Sequence, residues 1–259
     1  MGILIFDFDG TIHDSMCIYA PAVRACQKEY AARGLLPDRE VSDAEIRSYL
    51  GLTTAQMWQA FAPHLSKEQR EEGGQYIYRE MSRLARAGNA RLYDGAVCML
   101  QELRAQGHRL VFLSNCSEAY MKLHQEVFGL DHIFHEMYCA GQFDWESKPQ
   151  IVRRLIPAWR QAADRAGCKE PLVIISIGDR YTDMEIKLAQ TIHTSGCQDL
   201  NSAQVEDAGS VGQAVIIRTI FCAYGFGTPE EGENADATVH SVQQIPEQIS
   251  EQISSRSQM

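Results

Sequence analysis

ILIFDFDGTIHDS, residues 3–15, joins a run built for burial to two carboxylates one residue apart. Ile3 to Phe6 form the short continuous apolar run of a strand covered on both faces, as in a parallel sheet. Asp7 and Asp9 follow where that strand ends. Successive side chains of an extended chain point to opposite faces, so the spacing places Asp7 and Asp9 on one side and Phe8 on the other. Two anions so close repel, and a metal or a shared proton between them offsets the repulsion. The alternative is a solvated acidic turn, since Asp-Gly is common turn chemistry.

The chain has 259 residues, 45% of them hydrophobic, enough for one large domain or two smaller ones with a buried core. Its net charge of −10, with no cluster of Lys and Arg, argues against nucleic acid or an anionic membrane as partner. An anionic small substrate stays open, attracted by a local site and not by the overall field. The 8 cysteines are scattered with no Cys-x-x-Cys pair, and the 8 histidines form no His-x-x-x-His pair, so neither a disulfide framework nor a zinc site is expected. There is no basic flank and long apolar run of a secretory signal before Asp7, and no stretch long enough to span a bilayer. A cytoplasmic protein, monomer or homodimer, is the expectation.

Beyond Ser15 the pattern becomes helical. Ile18, Ala22, Cys26 and Tyr30 recur every four residues, with Gly34 placed as a C′ residue. Ser42 with Glu45 reads as a capping box opening a helix that ends at Gly51. Thr53 or Thr54 caps a helix through Ala62, and Ser66 with Gln69 opens a long one closed by Gly88, weakened or kinked at Gly73-Gly74. From Leu92 the rhythm changes to helix (95 to 106), strand (HRLVFLSN), helix (117 to 128), short strand (137 to 140), helix (150 to 166) and strand (PLVIISIGD). The expected architecture is α/β: a doubly wound parallel-sheet core of residues 1–15 and 90–259, with an all-helical cap of residues 16–89 inserted after the first strand. AVIIRTIFCAYGF reads as one strand or two, ATVHS as another, SVQQIPEQISEQI as a terminal helix, and residues 191–213 as an insertion or loop.

Three apolar runs end in polar residues: Asp7-x-Asp9, Ser114-Asn115 and Gly178-Asp179. In open α/β sheets ligands bind beyond the carboxyl ends of the strands, so these groups converge on one edge, joined by Lys148 at a helix start and by Asp183. Carboxylates that outnumber their basic neighbours call for a hard divalent cation such as magnesium. A metal beside a carboxylate, a lysine and backbone N–H groups suits phosphoryl transfer, with one carboxylate as nucleophile and another protonating the leaving oxygen.

Asp7-Phe8-Asp9-Gly10-Thr11, Ser114-Asn115, Lys148-Pro149 and Gly178-Asp179-x-x-x-Asp183 resemble, in order and spacing, the four motifs of the haloacid dehalogenase superfamily. Within it the chain looks like the phosphatases of the phosphoglycolate phosphatase type with a helical cap, and DGTIHDS, LYDGA and YGFGTPEE are similar to stretches of that branch. The resemblance implies Asp7 as nucleophile and Asp9 as general acid and then base. It implies phosphate contacts from Ser114, Asn115 and Lys148, with Gly10 and Thr11 beside them, and Mg2+ held by Asp7, the Asp9 carbonyl and Asp179, with Asp183 close behind. Arg47 and Gly51 resemble substrate-contacting positions, although a solvated helix arginine reads equally well. The true dehalogenases lack the second aspartate, so hydrolysis of a small phosphate monoester, 2-phosphoglycolate or a sugar phosphate, is favoured.

Taken singly, Ser114 and Asn115 read as a helix cap, Lys148 as a surface lysine and Asp179 as an N-cap; the set in this order reads as a site. The competing functions are a phosphomutase or phosphonate hydrolase on the same scaffold, a phospho-acceptor module, and a non-catalytic binding protein. Phosphonate hydrolysis requires a Schiff-base lysine, and Lys28 and Lys67 are the only lysines between residues 16 and 89. Tyr224-Gly225-Phe226-Gly227 lacks the third glycine of a dinucleotide fingerprint and reads as a loop.

Overall fold

The computed structural model describes residues 2–190 and 214–254. Six parallel strands, β1 (Ile3–Phe6), β2 (Arg109–Ser114), β3 (Glu136–Cys139), β4 (Leu172–Gly178), β5 (Val215–Cys222) and β6 (Ala237–Val239), form one sheet in the order β3-β2-β1-β4-β5-β6. β1 lies between β2 and β4, with Ile5 opposite both Val111 and Ser176. Alternate residues of the central strands enter different apolar clusters: Leu4, Phe6, Leu110, Phe112, Ile175 and Ile177 on one face, Ile3, Ile5, Val111, Leu113 and Ile174 on the other. The uninterrupted hydrophobicity of these strands therefore follows from burial on both sides.

Helices α5 (Ala96–Ala105), α6 (Glu118–Phe128) and α9 (Ile245–Ser254) cover the first face through Leu100, Met121 and Ile249. Helix α7 (Lys148–Arg165) covers the second through Ile151, Val152, Ile156 and Trp159. A short helix, α8 (Tyr181–Met184), follows β4. Between β1 and α5 run α1 (Met16–Ala32), α2 (Asp43–Arg47), α3 (Thr54–Phe61) and α4 (Lys67–Arg86), which share an apolar cluster of their own built on Val23, Cys26, Tyr30, Trp58, Phe61 and Ile77. The two segments leading into and out of these helices pair with each other: Asp14 donates its N–H to the Arg91 carbonyl at 3.0 Å, and Tyr93 donates to that of Ile12 at 2.8 Å. Among the described residues no helix is long and apolar enough to cross a membrane.

Several local expectations change on folding. Gly73 and Gly74 do not interrupt α4, which is continuous from Lys67 to Arg86. Gly73 gives passage to the Trp58 indole, since a Cβ there would lie 2.4 Å from its Cζ2. Helix α2 stops at Arg47, short of Gly51, and its capping box is half formed: Ser42 accepts from the Glu45 N–H, while the Glu45 carboxylate binds Arg39 at 2.6 and 2.7 Å. A bidentate charged partner outcompetes a neutral backbone N–H. AVIIRTIFCAYGF contains a single strand, and α7 starts at Lys148 instead of 150, with Gln150 closing a capping box onto Ser147. The expected insertion at residues 191–213 lies outside the described residues.

Candidate active site

Asp7 leaves β1 with its N–H bonded to the Ile177 carbonyl at 2.9 Å, which seats its side chain between the ends of β1 and β4. Lys148, the first residue of α7, reaches back to that point. Its Nζ donates to Asp7 Oδ1 at 2.6 Å and to Asp183 Oδ1 at 2.5 Å, and all three side chains are buried. Asp179, the residue after β4, completes the cluster: carboxylate oxygens of Asp7, Asp179 and Asp183 all lie within 4.8 Å of one another. Asp183 is locked by its other oxygen, which accepts from the Arg180 N–H at 3.1 Å.

Glycine makes this proximity possible. Gly10 has φ +85°, and a Cβ there would lie 2.2 Å from Asp179 Oδ2. Asp179 Oδ2 also accepts the Phe226 N–H at 2.7 Å, and Thr11 Oγ1 stands 3.4 Å from Oδ1.

Burial pushes the Asp7 carboxyl well above the usual carboxylate range; Lys148 opposes that, while Asp183 and Asp179 reinforce it. Asp179 is pushed up to about 7, first by burial and then by Asp183. For Lys148 burial favours the neutral amine, but Asp183 and Asp7 outweigh it and hold the ammonium above its ordinary range. Three buried carboxylates thus face one ammonium, a charge balance that a hard divalent cation with oxygen ligands would correct.

Asp9 departs from the expected geometry. Its carboxylate is not beside that of Asp7: Oδ1 accepts from Tyr120 OH at 2.8 Å and lies 2.8 Å from His13 Nδ1. The chain stops being extended after Asp7, because the N–H groups of Thr11, Ile12 and His13 all turn back onto the Phe8 carbonyl. Alternation along a strand no longer governs a residue inside that turn. Burial raises the Asp9 pKa, but His13 and Tyr120 outweigh it and leave the carboxyl below its ordinary value. The acidic cluster is therefore Asp7, Asp179 and Asp183, and the Asp9 carboxylate is not part of it.

Ser114 is buried at the end of β2, and Asn115 is exposed beside Asp9 and Lys148 on the wall of a cavity of about 760 Å³ between α1–α4 and the strand ends. Gly51 lines that cavity; Arg47 does not, since its guanidinium lies over the Phe226 ring at 5.5 Å. Sequence reading missed two groups. The loop Tyr224 to Gly227 carries the Phe226 N–H and bonds Tyr224 OH to the Thr11 carbonyl at 2.7 Å. Its glycines are required, for a Cβ at 225 would lie 2.3 Å from Asp179 Cβ and one at 227 would lie 1.8 Å from the Asp179 carbonyl oxygen. A Gly-x-Gly directly after an apolar strand was the available signal. His13 and Tyr120, which hold Asp9, had none.

Residues 4–196 match the family of haloacid dehalogenase-like hydrolases. Among solved structures, the chain is similar to a haloacid dehalogenase-like family hydrolase from Streptococcus pneumoniae, at 19% identity and TM-score 0.64, over 96% of this chain and 98% of that one. It is similar to a predicted phosphoglycolate phosphatase from Haemophilus somnus, at 17% identity and TM-score 0.65, over 96% and 98%. It is likewise similar to CbbY from Rhodobacter sphaeroides, a structure in complex with phosphate, at 17% identity and TM-score 0.64, over 95% and 96%. No curated protein matches.

Proposed function

This chain belongs to the haloacid dehalogenase-like hydrolases, and on that premise we propose that it is a magnesium-dependent phosphatase that hydrolyses a small phosphate monoester through an aspartyl-phosphate on Asp7. The observation that carries this reading is the buried cluster of Asp7, Asp179 and Asp183 around Lys148, which itself lines a cavity large enough for a substrate.

Asp7, Asp179 and the Asp9 carbonyl would hold magnesium, with Asp183 behind them. When bound, the ion neutralises charge on the phosphoryl oxygens and the attacking carboxylate. Lys148 occupies Asp7 Oδ1, which leaves Oδ2 to attack phosphorus as the bond to the leaving oxygen breaks. Lys148, Ser114 and Asn115 steady the transferring group. Asp9, which takes up a proton from solvent once free of His13 and Tyr120, gives that proton to the leaving oxygen and then takes one from the water that splits the acyl phosphate, releasing phosphate and restoring Asp7.

Helices α1–α4 act in this reading as a cap over the strand ends, excluding water while the acyl phosphate forms and opening for release. The paired segments at residues 12–16 and 88–92 would be its hinges. Against phosphonate chemistry stands the placement of the two cap lysines: Lys28 is exposed and Lys67 is 84% exposed beside Glu71, and neither lines the cavity.

The test is phosphate release from a panel of monoesters with and without magnesium, for the wild type and Asp7→Asn. Metal-dependent turnover that the variant loses supports the proposal. A folded wild-type protein that releases phosphate from none of them refutes it.

A further inference from the structure

The walls of the cavity and its charges together define what the non-phosphate half of the substrate is. On the cap side its accessible apolar surface comes from Tyr19, Leu50, Leu52, Tyr78 and Met81, backed by the buried Tyr49, Met57, Trp58 and Ile77, and the exposed Trp145 stands at its edge. Among the described lining residues the only cation is Lys148, already bonded to Asp7 and Asp183, whereas Asp9 and Glu185 bring negative charge and Glu146 is paired with Arg154 at 3.0 Å. The two arginines near Gly51 face other partners: Arg47 lies over Phe226, and Arg180 binds Glu231 and the Leu50 carbonyl. A carboxylate or a second phosphate on the substrate would therefore meet apolar surface and like charge.

Two further features point the same way. Trp58 and Ser15 are lining residues whose indole N–H and hydroxyl are buried without a hydrogen-bond partner. The unpartnered polar atoms next to the cavity are thus neutral ones. Trp145 is 64% exposed at φ +62°, and Asp144 before it has φ +50°. A bulky residue in the left-handed region is strained, and such strain persists where the surrounding chain holds a side chain in a set place. Here it presents an indole at the entrance, one residue pair ahead of Ser147 and Lys148. The volume of about 760 Å³ is in the range of pockets that enclose ligands far larger than a two-carbon acid.

We propose that the alcohol portion of the substrate is uncharged and largely apolar, enclosed by the accessible apolar surface of Tyr19, Leu50, Leu52, Tyr78 and Met81 and covered by Trp145. The proposal rests on the phosphatase reading and narrows it away from phosphoglycolate and from sugar bisphosphates.

The experiment is kcat/KM, with magnesium, for butyl, hexyl and octyl phosphate against 2-phosphoglycolate, a sugar bisphosphate and p-nitrophenyl phosphate. The primary alkyl alcohols share one leaving-group acidity, so the series reads burial and not intrinsic reactivity. Burial of each methylene predicts a gain of up to about fourfold, so octyl phosphate should exceed butyl phosphate by about tenfold or more. Trp145→Ala, at an exposed position, should cut that ratio at least by about half. A flat or falling series, or faster turnover of the carboxylate or bisphosphate esters, overturns this proposal and leaves the phosphatase reading standing. No phosphate from any ester, p-nitrophenyl phosphate included, removes the phosphatase reading and this proposal with it.

Discussion

Lys148 Nζ lies 2.6 Å from Asp7 Oδ1 although 141 residues separate them in the chain, and the same ammonium bonds Asp183. It is the one buried cation among three buried carboxylates. Lys148→Met leaves those charges unpaired. The variant should lose about 3–5 kcal/mol of stability at neutral pH by urea unfolding, and about 100-fold or more in kcat.

If Asp7, Asp179 and the Asp9 carbonyl hold magnesium with Asp183 behind them, the metal stabilises only the folded chain. Unfolding free energy should then rise with magnesium by about 2.7 kcal/mol at 100 times the dissociation constant. Asp179→Asn should abolish that rise, which a melt with and without EDTA reads directly.

Adjacent glycines of α4 should respond in opposite directions to alanine. A Cβ at Gly73 meets the buried Trp58 ring at 2.4 Å, so Gly73→Ala should destabilise by about 1–3 kcal/mol through overpacking. At Gly74 the nearest atom is Thr54 Cγ2 at 3.3 Å, the end of an exposed side chain. Gly74→Ala should stabilise by up to about 1 kcal/mol, because helix propensity then dominates. Urea midpoints of the two variants check the contrast.

His124 is fully buried on Phe8, Phe128 and His13, with Nδ1 3.0 Å from the Tyr120 carbonyl. Burial, then the neighbouring His13, lowers its pKa to about 4, against a smaller opposing pull from Asp9. The folded protein thus refuses a proton that the unfolded chain accepts near pH 6.5. Stability from the neutral ring is complete above pH 6.5 and is lost as pH falls toward 4, by on the order of 3 kcal/mol. His124→Phe should lose less stability than wild type between pH 7 and pH 4, measured by urea unfolding at both.

Trp145 holds its left-handed backbone with most of its side chain in solvent. Trp145→Gly should therefore not destabilise the fold and should raise its stability by up to about 1 kcal/mol, since relief of strain exceeds the entropy of the added glycine. The urea midpoint reports the sign.

Many local patterns of the amino-acid chain carry their own cause. Uninterrupted runs such as Ile3 to Phe6 are buried strands, Thr53 and Ser66 cap their helices reciprocally with Gln56 and Gln69, and Gly34 and Gly88 end helices at positive φ. The order of Asp7, Lys148, Asp179 and Asp183 also pointed to one site, because parallel strands direct their carboxyl ends to one edge of the sheet. The tertiary structure decided the rest. That Asp9 turns to Tyr120, that Phe226 donates its N–H to Asp179, that Arg47 stacks on Phe226 outside the cavity, and that Gly73 admits Trp58 all depend on partners from other segments. No spacing encodes such partners, since they meet only after the chain has closed around them, and the energy of a contact there is set by the packing of both sides.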